Sequence, residues 1–157
     1  MDEYSNPNLE ENIKNNALTV FMLLASVWLS LFDDAGYEPY GESIGFDEME
    51  RFAKATKKTA LTHGFWRSAV YLLNEKGLVQ ISGINSSGLE EVSLTSFACF
   101  HVVYNQESYD DLFNFAKKQL EIQEPNETYK HYESPIKDLF YKKIIFSKND
   151  EYRPRQG

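Results

Sequence analysis

The chain has a single cysteine, Cys99. No disulfide can close within it, and a disulfide-stapled secreted scaffold is excluded. Five prolines and eight glycines form no rich tract, which rules out a collagenous or linker-like chain, and no internal repeat or low-complexity segment is present. The longest uncharged run, Asn15 to Phe32, is 18 residues and contains Asn15, Asn16, Thr19, Ser26 and Ser30. That is the lower margin for spanning a bilayer, so a buried helix is expected and no membrane association. The start, Met1-Asp2-Glu3, lacks the positive flank of a secretory signal, and a cytoplasmic protein is expected.

Chemistry-bearing patterns are also scarce. His63, His101 and His131 lie far apart with no zinc-type spacing. Cys99 and His101 would share one face of a strand, but no third orienting group accompanies them, and burial is the better reading. There is no glycine-rich phosphate loop and no Gly-x-Ser-x-Gly elbow. The acid pairs Asp33-Asp34, Glu90-Glu91 and Asp110-Asp111 read as solvated charges. Neither enzymatic activity nor a metal or cofactor is expected.

At 157 residues the chain suits one domain able to bury a core. Hydrophobic residues at 42% and charged residues at 25% place it among globular proteins rather than disordered ones. Aromatics reach 15%, a share that favours interfaces. The net charge of −8 argues against nucleic acid, yet residues 51 to 80 carry six Lys or Arg against one Glu. Phosphate attraction acts over a Debye length of roughly 8 Å, so a local basic face can bind DNA on an acidic protein.

The most informative stretch runs from Phe46 to Thr95. Asp47 and Glu50 frame a helix start, and Met49, Phe52 and Ala53 carry that helix to about Lys57. A second helix is predicted from Leu61, Phe65, Ala69, Leu72 and Leu73, which fall within about 120° on a helical wheel and form one buried stripe. Gly77 ends it. Leu78 to Ile81 and Val92 to Thr95 read as strands joined through the Asn-Ser-Ser-Gly turn.

The run Leu72-Leu73-Asn74-Glu75-Lys76-Gly77-Leu78-Val79, followed by a polar loop and Val92-Ser93-Leu94-Thr95, resembles the helix-to-wing junction of winged-helix regulators of the MarR-like group. The resemblance covers about 50 residues. It implies a winged helix-turn-helix, a double-stranded DNA partner and a role as a transcriptional regulator or mobile-element factor. On the wheel His63, Arg67, Tyr71 and Asn74 lie opposite the stripe, where a recognition helix presents groups to a major groove. Thr62 is counted with them as a DNA-binding candidate, and Lys54, Lys57 and Lys58 precede them, suited to phosphates. The wing departs from the family pattern: Ser82 to Glu91 has no Lys or Arg and carries Glu90 and Glu91. That departure, with the net charge and the aromatic excess, supports an alternative, an acidic winged-helix module that binds protein and no DNA. A small-molecule sensor, with a pocket between the first helix and the wing region, is compatible with either.

The expected fold is mostly α: a winged helix-turn-helix at 46–96, an N-terminal helical region and loop at 1–45, and a C-terminal helical extension at 97–157. Leu9 to Phe32 reads as one long helix or as two broken near Asn15 and Asn16. Because Ala17 to Phe32 is apolar on every side, it must be covered all round. A homodimer is expected, with Leu24, Trp28 and Leu31 at its interface. Ser96 to Asn105 is β-rich by composition, but in the resembling family a helix follows the wing, and a helix or an irregular buried segment is expected. Ser108 to Glu121 reads as a helix, with Ser108 as its cap. Ser134 and Pro135 are expected to open a last helix, with Ile144 to Phe146 ending it or forming a strand.

Overall fold

The computed structural model describes residues 7–35, 43–55 and 61–141 and the strand residues 144–145 and 153–154. In chain order these form α1 (Pro7–Ala35), β1 (Ile44–Gly45), α2 (Phe46–Ala55), α3 (His63–Glu75), β2 (Val79–Ile84), β3 (Glu90–Leu94), α4 (Ser96–Tyr104), α5 (Tyr109–Leu120), α6 (Glu127–Phe140), β4 (Ile144–Ile145) and β5 (Arg153–Pro154). The chain is mostly helical, with a small antiparallel sheet in the order β1-β3-β2 and a separate β4-β5 pair.

α1 is the hub. It packs against α3 and α6 along most of its length, and against α5 and α4 as well. It is continuous through Asn15 and Asn16 because its polar residues are satisfied in place. The Asn15 amide donates to Glu11 O at 2.8 Å, Thr19 Oγ1 to Asn15 O at 2.9 Å and Ser26 Oγ to Met22 O at 2.7 Å, the back-bonding that lets such residues sit inside a helix. The stretch Leu9–Leu31 is long and apolar enough to cross a membrane, but 83% of its apolar window is buried inside the protein.

That burial bears on the expected dimer face. Leu24 and Trp28 are 2% and 3% exposed within the single chain, and Leu31 packs against the same core. Burying each Leu, Val or Phe is worth about 1.5–3 kcal/mol, and from Ala17 to Ser30 every residue of α1 is buried by the chain itself. The all-apolar helix is therefore no argument for a second subunit.

The hairpin forms as its alternation implies, Val79 opposite Leu94, Gln80 opposite Ser93 and Ile81 opposite Val92, with a bulge between Ile81 and Gly83. Its turn is held by Asn85, whose Oδ1 accepts from Ser87 N and Leu89 N, and by Gly88 at φ +78°. The two-residue β1 was not foreseen; it pairs Ile44 with Val92. Just after it the capping box of α2 sits differently from the expectation: Gly45 N donates to Glu48 Oε2 at 3.0 Å, so Glu48, not Glu50, reaches back.

α6 begins earlier than Ser134. Asn126 caps it, accepting from Thr128 N at 2.9 Å, while the Asn126 N–H donates to the buried Asn15 Oδ1 at 2.9 Å. Tyr129 and Tyr132 are buried one turn apart ahead of Pro135. Packing of that face carries the helix through the proline despite the lost N–H. The aromatic excess thus divides. Trp28, Trp66, Tyr109, Tyr129 and Tyr132 fill the core, where the Tyr109 and Tyr129 hydroxyls are hydrogen-bonded to each other, and a smaller set remains outside.

Candidate nucleic-acid interface

α3 starts where Thr62 Oγ1 accepts from Phe65 N at 3.1 Å and ends at Gly77, whose φ of +74° only glycine adopts without strain. Its buried residues are Trp66, Ala69, Val70 and Leu73, with Phe65 and Leu72 only partly covered. The buried face is therefore turned by about 80° from the predicted stripe. The cause is Trp66, fully buried, with its indole Nε1 donating to Glu90 O at 3.1 Å. Seating the largest side chain of the helix against the core rolls α3 toward Trp66 and Val70.

The roll changes the setting of the expected recognition face. Arg67, Tyr71 and Asn74 stay exposed, yet each bonds to the hairpin beside it. Arg67 Nη2 donates to Gly88 O at 2.9 Å, and its Nε lies 3.7 Å from Glu90 Oε1. The Tyr71 hydroxyl donates to Glu90 Oε2 at 3.0 Å, and the Asn74 amide donates to Val79 O at 3.1 Å. The Thr62 hydroxyl serves as the helix cap. His63 is exposed, with its ring edge-on to Phe46 at 4.7 Å between centroids. Lys54 extends into solvent at 75% side-chain exposure and pairs one turn back with Glu50 at 3.7 Å. Lys57 and Lys58 lie outside the described residues.

Glu90 organises this site, and sequence reasoning read it as a solvated loop acid. Its side chain is 5% exposed, and Oε1 has no hydrogen-bond donor among the described residues, only the nearby guanidinium. The hydrogen bond from Tyr71 to this carboxylate, reinforced by its charge, holds the Tyr71 phenol above its ordinary ionisation range. A phosphate or a guanine edge approaching Arg67 would meet a carboxylate already in place. Arg67 remains half exposed, but its charge is offset on the side facing the hairpin.

Other candidate chemistry is equally constrained. Among the described residues no group of three or more His, Cys, Asp or Glu side chains is placed to hold a metal ion. Cys99 and His101 sit on a helix rather than a strand, so the two side chains diverge: Cys99 is buried and His101 stacks on Phe115 at 4.2 Å. A shallow depression of about 450 Å³ between α1, α3 and α6 is lined by Asn12, Asn16, Phe65, Glu127, Thr128, His131 and Tyr132. Two of its polar groups are engaged inside the protein, Asn12 with Asn126 and Asn16 with Ser68.

The second feature that sequence reasoning passed over is on α4. Phe97, Phe100 and Tyr104 are 45%, 64% and 77% exposed, while Ala98, Cys99 and Val102 are buried. The signal was available as spacings of three and four residues. The β-rich composition of Ser96 to Asn105 concealed it. Comparison with protein-family models, curated proteins and solved structures finds no match, so the winged-helix resemblance rests on the residues of this chain alone.

Proposed function

We propose that the chain is a winged-helix-type interaction module whose partner is a protein rather than double-stranded DNA. The winged-helix part of this reading is supported by the order α1, β1, α2, α3, β2, β3 and by β1 pairing on the outer side of β3. The choice of partner rests on one observation: the groups suited to reading bases are bonded to the hairpin, with the Glu90 carboxylate beside the Arg67 guanidinium. Direct readout needs a free bidentate donor, worth about 1–3 kcal/mol of discrimination. The net charge of −8 and the wing without cations act in the same direction.

The competing reading, a DNA-binding regulator, draws on the six cations between residues 51 and 80. A mobility-shift titration with random duplex at low ionic strength separates the two. The module reading expects no retarded complex for the wild type. A complex that Arg67→Ala abolishes would restore the regulator.

A further inference from the structure

The exposed rings of α4 form a connected strip. Phe100 stacks on Tyr104 at 6.2 Å and 16°, Phe97 meets His101 at 4.7 Å, and Phe100 meets His101 at 5.3 Å. His101 lies flat on Phe115 at 4.2 Å, and Phe115 contacts the core ring Phe21 at 6.3 Å. Each outer ring is thus braced by a neighbour and the strip is anchored to α1. Rings held in this way offer apolar area with little rotamer entropy left to lose on binding.

The charges nearest the strip along the chain are acidic. No Lys or Arg occurs between Lys76 and Lys117. Just beyond the end of α4, Glu107, Asp110 and Asp111 are exposed, and none of them is in an ion pair among the described residues. The C-terminal end of α4 adds the partial negative charge of its carbonyls in the same region.

We propose that the α4 strip of Phe97, Phe100 and Tyr104 is a docking surface for a basic amphipathic helix of a partner protein. This rests on the protein-partner reading and specifies its surface and chemistry. Ridges spaced at one helical face match the apolar stripe of a second helix. Lys or Arg flanking that stripe would meet Glu107, Asp110 and Asp111. A second copy of this chain fits poorly, because it would bring the same three acids and a further charge of −8 to the contact. Nucleic acid and anionic bilayers are repelled by the same groups.

The test uses the full chain and two labelled peptides of about five helical turns, each with Leu along one face and either Lys or Glu elsewhere. Fluorescence anisotropy is read at low and at physiological salt, and backbone amide shifts map where the peptide sits on the wild type. The Lys peptide is expected to bind, weakening with salt, and to shift the amides of α4. Phe100→Ala with Tyr104→Ala, both at exposed positions, should weaken it about 10-fold or more, as loss of aromatic anchors does. Asp110→Lys with Asp111→Lys should remove most of the salt dependence.

Equal binding of the Glu peptide, absence of Lys-peptide binding, or shifts lying away from α4 would each overturn the proposal. Random duplex is titrated in parallel. Duplex binding that requires Arg67 would overturn the protein-partner reading itself, whatever the peptides do, so the two failures are distinguishable.

Discussion

Arg67 and Glu90 face each other across the junction of α3 and β3, with Nε 3.7 Å from Oε1, and the same guanidinium donates to Gly88 O in the turn that leads into β3. Two residues 23 positions apart thereby fasten the hairpin to the helix it follows. The residue best suited to contact a base by composition instead acts as a clasp.

If Glu90 is the acceptor that organises this junction, its removal should loosen the hairpin. Glu90→Ala deletes the acceptor of the Tyr71 hydroxyl and the counter-charge of Arg67, both of which can turn to water. We expect a loss of about 1 kcal/mol in urea denaturation. Glu90→Gln retains an acceptor for Tyr71 and should cost less. Equal and negligible effects of the two substitutions would contradict the role assigned to the carboxylate.

Two phenols give the fold a dependence on high pH. Tyr71 is held above its ordinary value of 10.0 by its hydrogen bond to Glu90, and Tyr109 is raised chiefly by burial, with Glu133 and Asp110 adding to it. A raised folded value means that the native state favours the neutral phenol. The stability this contributes is complete below about pH 10 and is lost as pH rises through the folded values. The denaturation midpoint should fall above about pH 10, and Tyr71→Phe should remove part of the fall. A midpoint that stays flat through tyrosine ionisation would contradict it.

Trp28 belongs to the interior of one chain. Trp28→Ala should therefore cost about 3–5 kcal/mol, the usual consequence of emptying a large core site. The mass of the folded species in light scattering should not change. A drop in mass without a comparable loss of stability would return Trp28 to a subunit interface.

The hairpin was legible because its signals are local: β-branched alternation, a turn asparagine, and glycines where φ is positive at Gly77 and Gly88. The start of α5 was legible for the same reason, Ser108 accepting from Asp111 N. The start of α6 was not, because the partner of Asn126 is Asn15, on the first helix of the chain. The rotation of α3 was hidden because both of its candidate stripes are apolar. The choice between Phe65 with Leu72 and Trp66 with Val70 is made by the surface of α1 and by Glu90 O, which accepts the indole N–H. The burial of Glu90 was invisible in the sequence. Glu90 and Glu91 are adjacent acids, and only the pleat of β3, which sends successive side chains to opposite faces, turns the first toward α3.

The polar side chains of α3 stay exposed but are bonded to the hairpin, and the salt dependence of duplex affinity shows whether they still engage a duplex. A protein that neutralises phosphates shows a linear fall of log affinity with log salt, at about 0.9 per contact. No measurable binding of random duplex is expected at low ionic strength, and hence no such slope. A steep slope of several contacts, reduced together with affinity by Arg67→Ala, would contradict it.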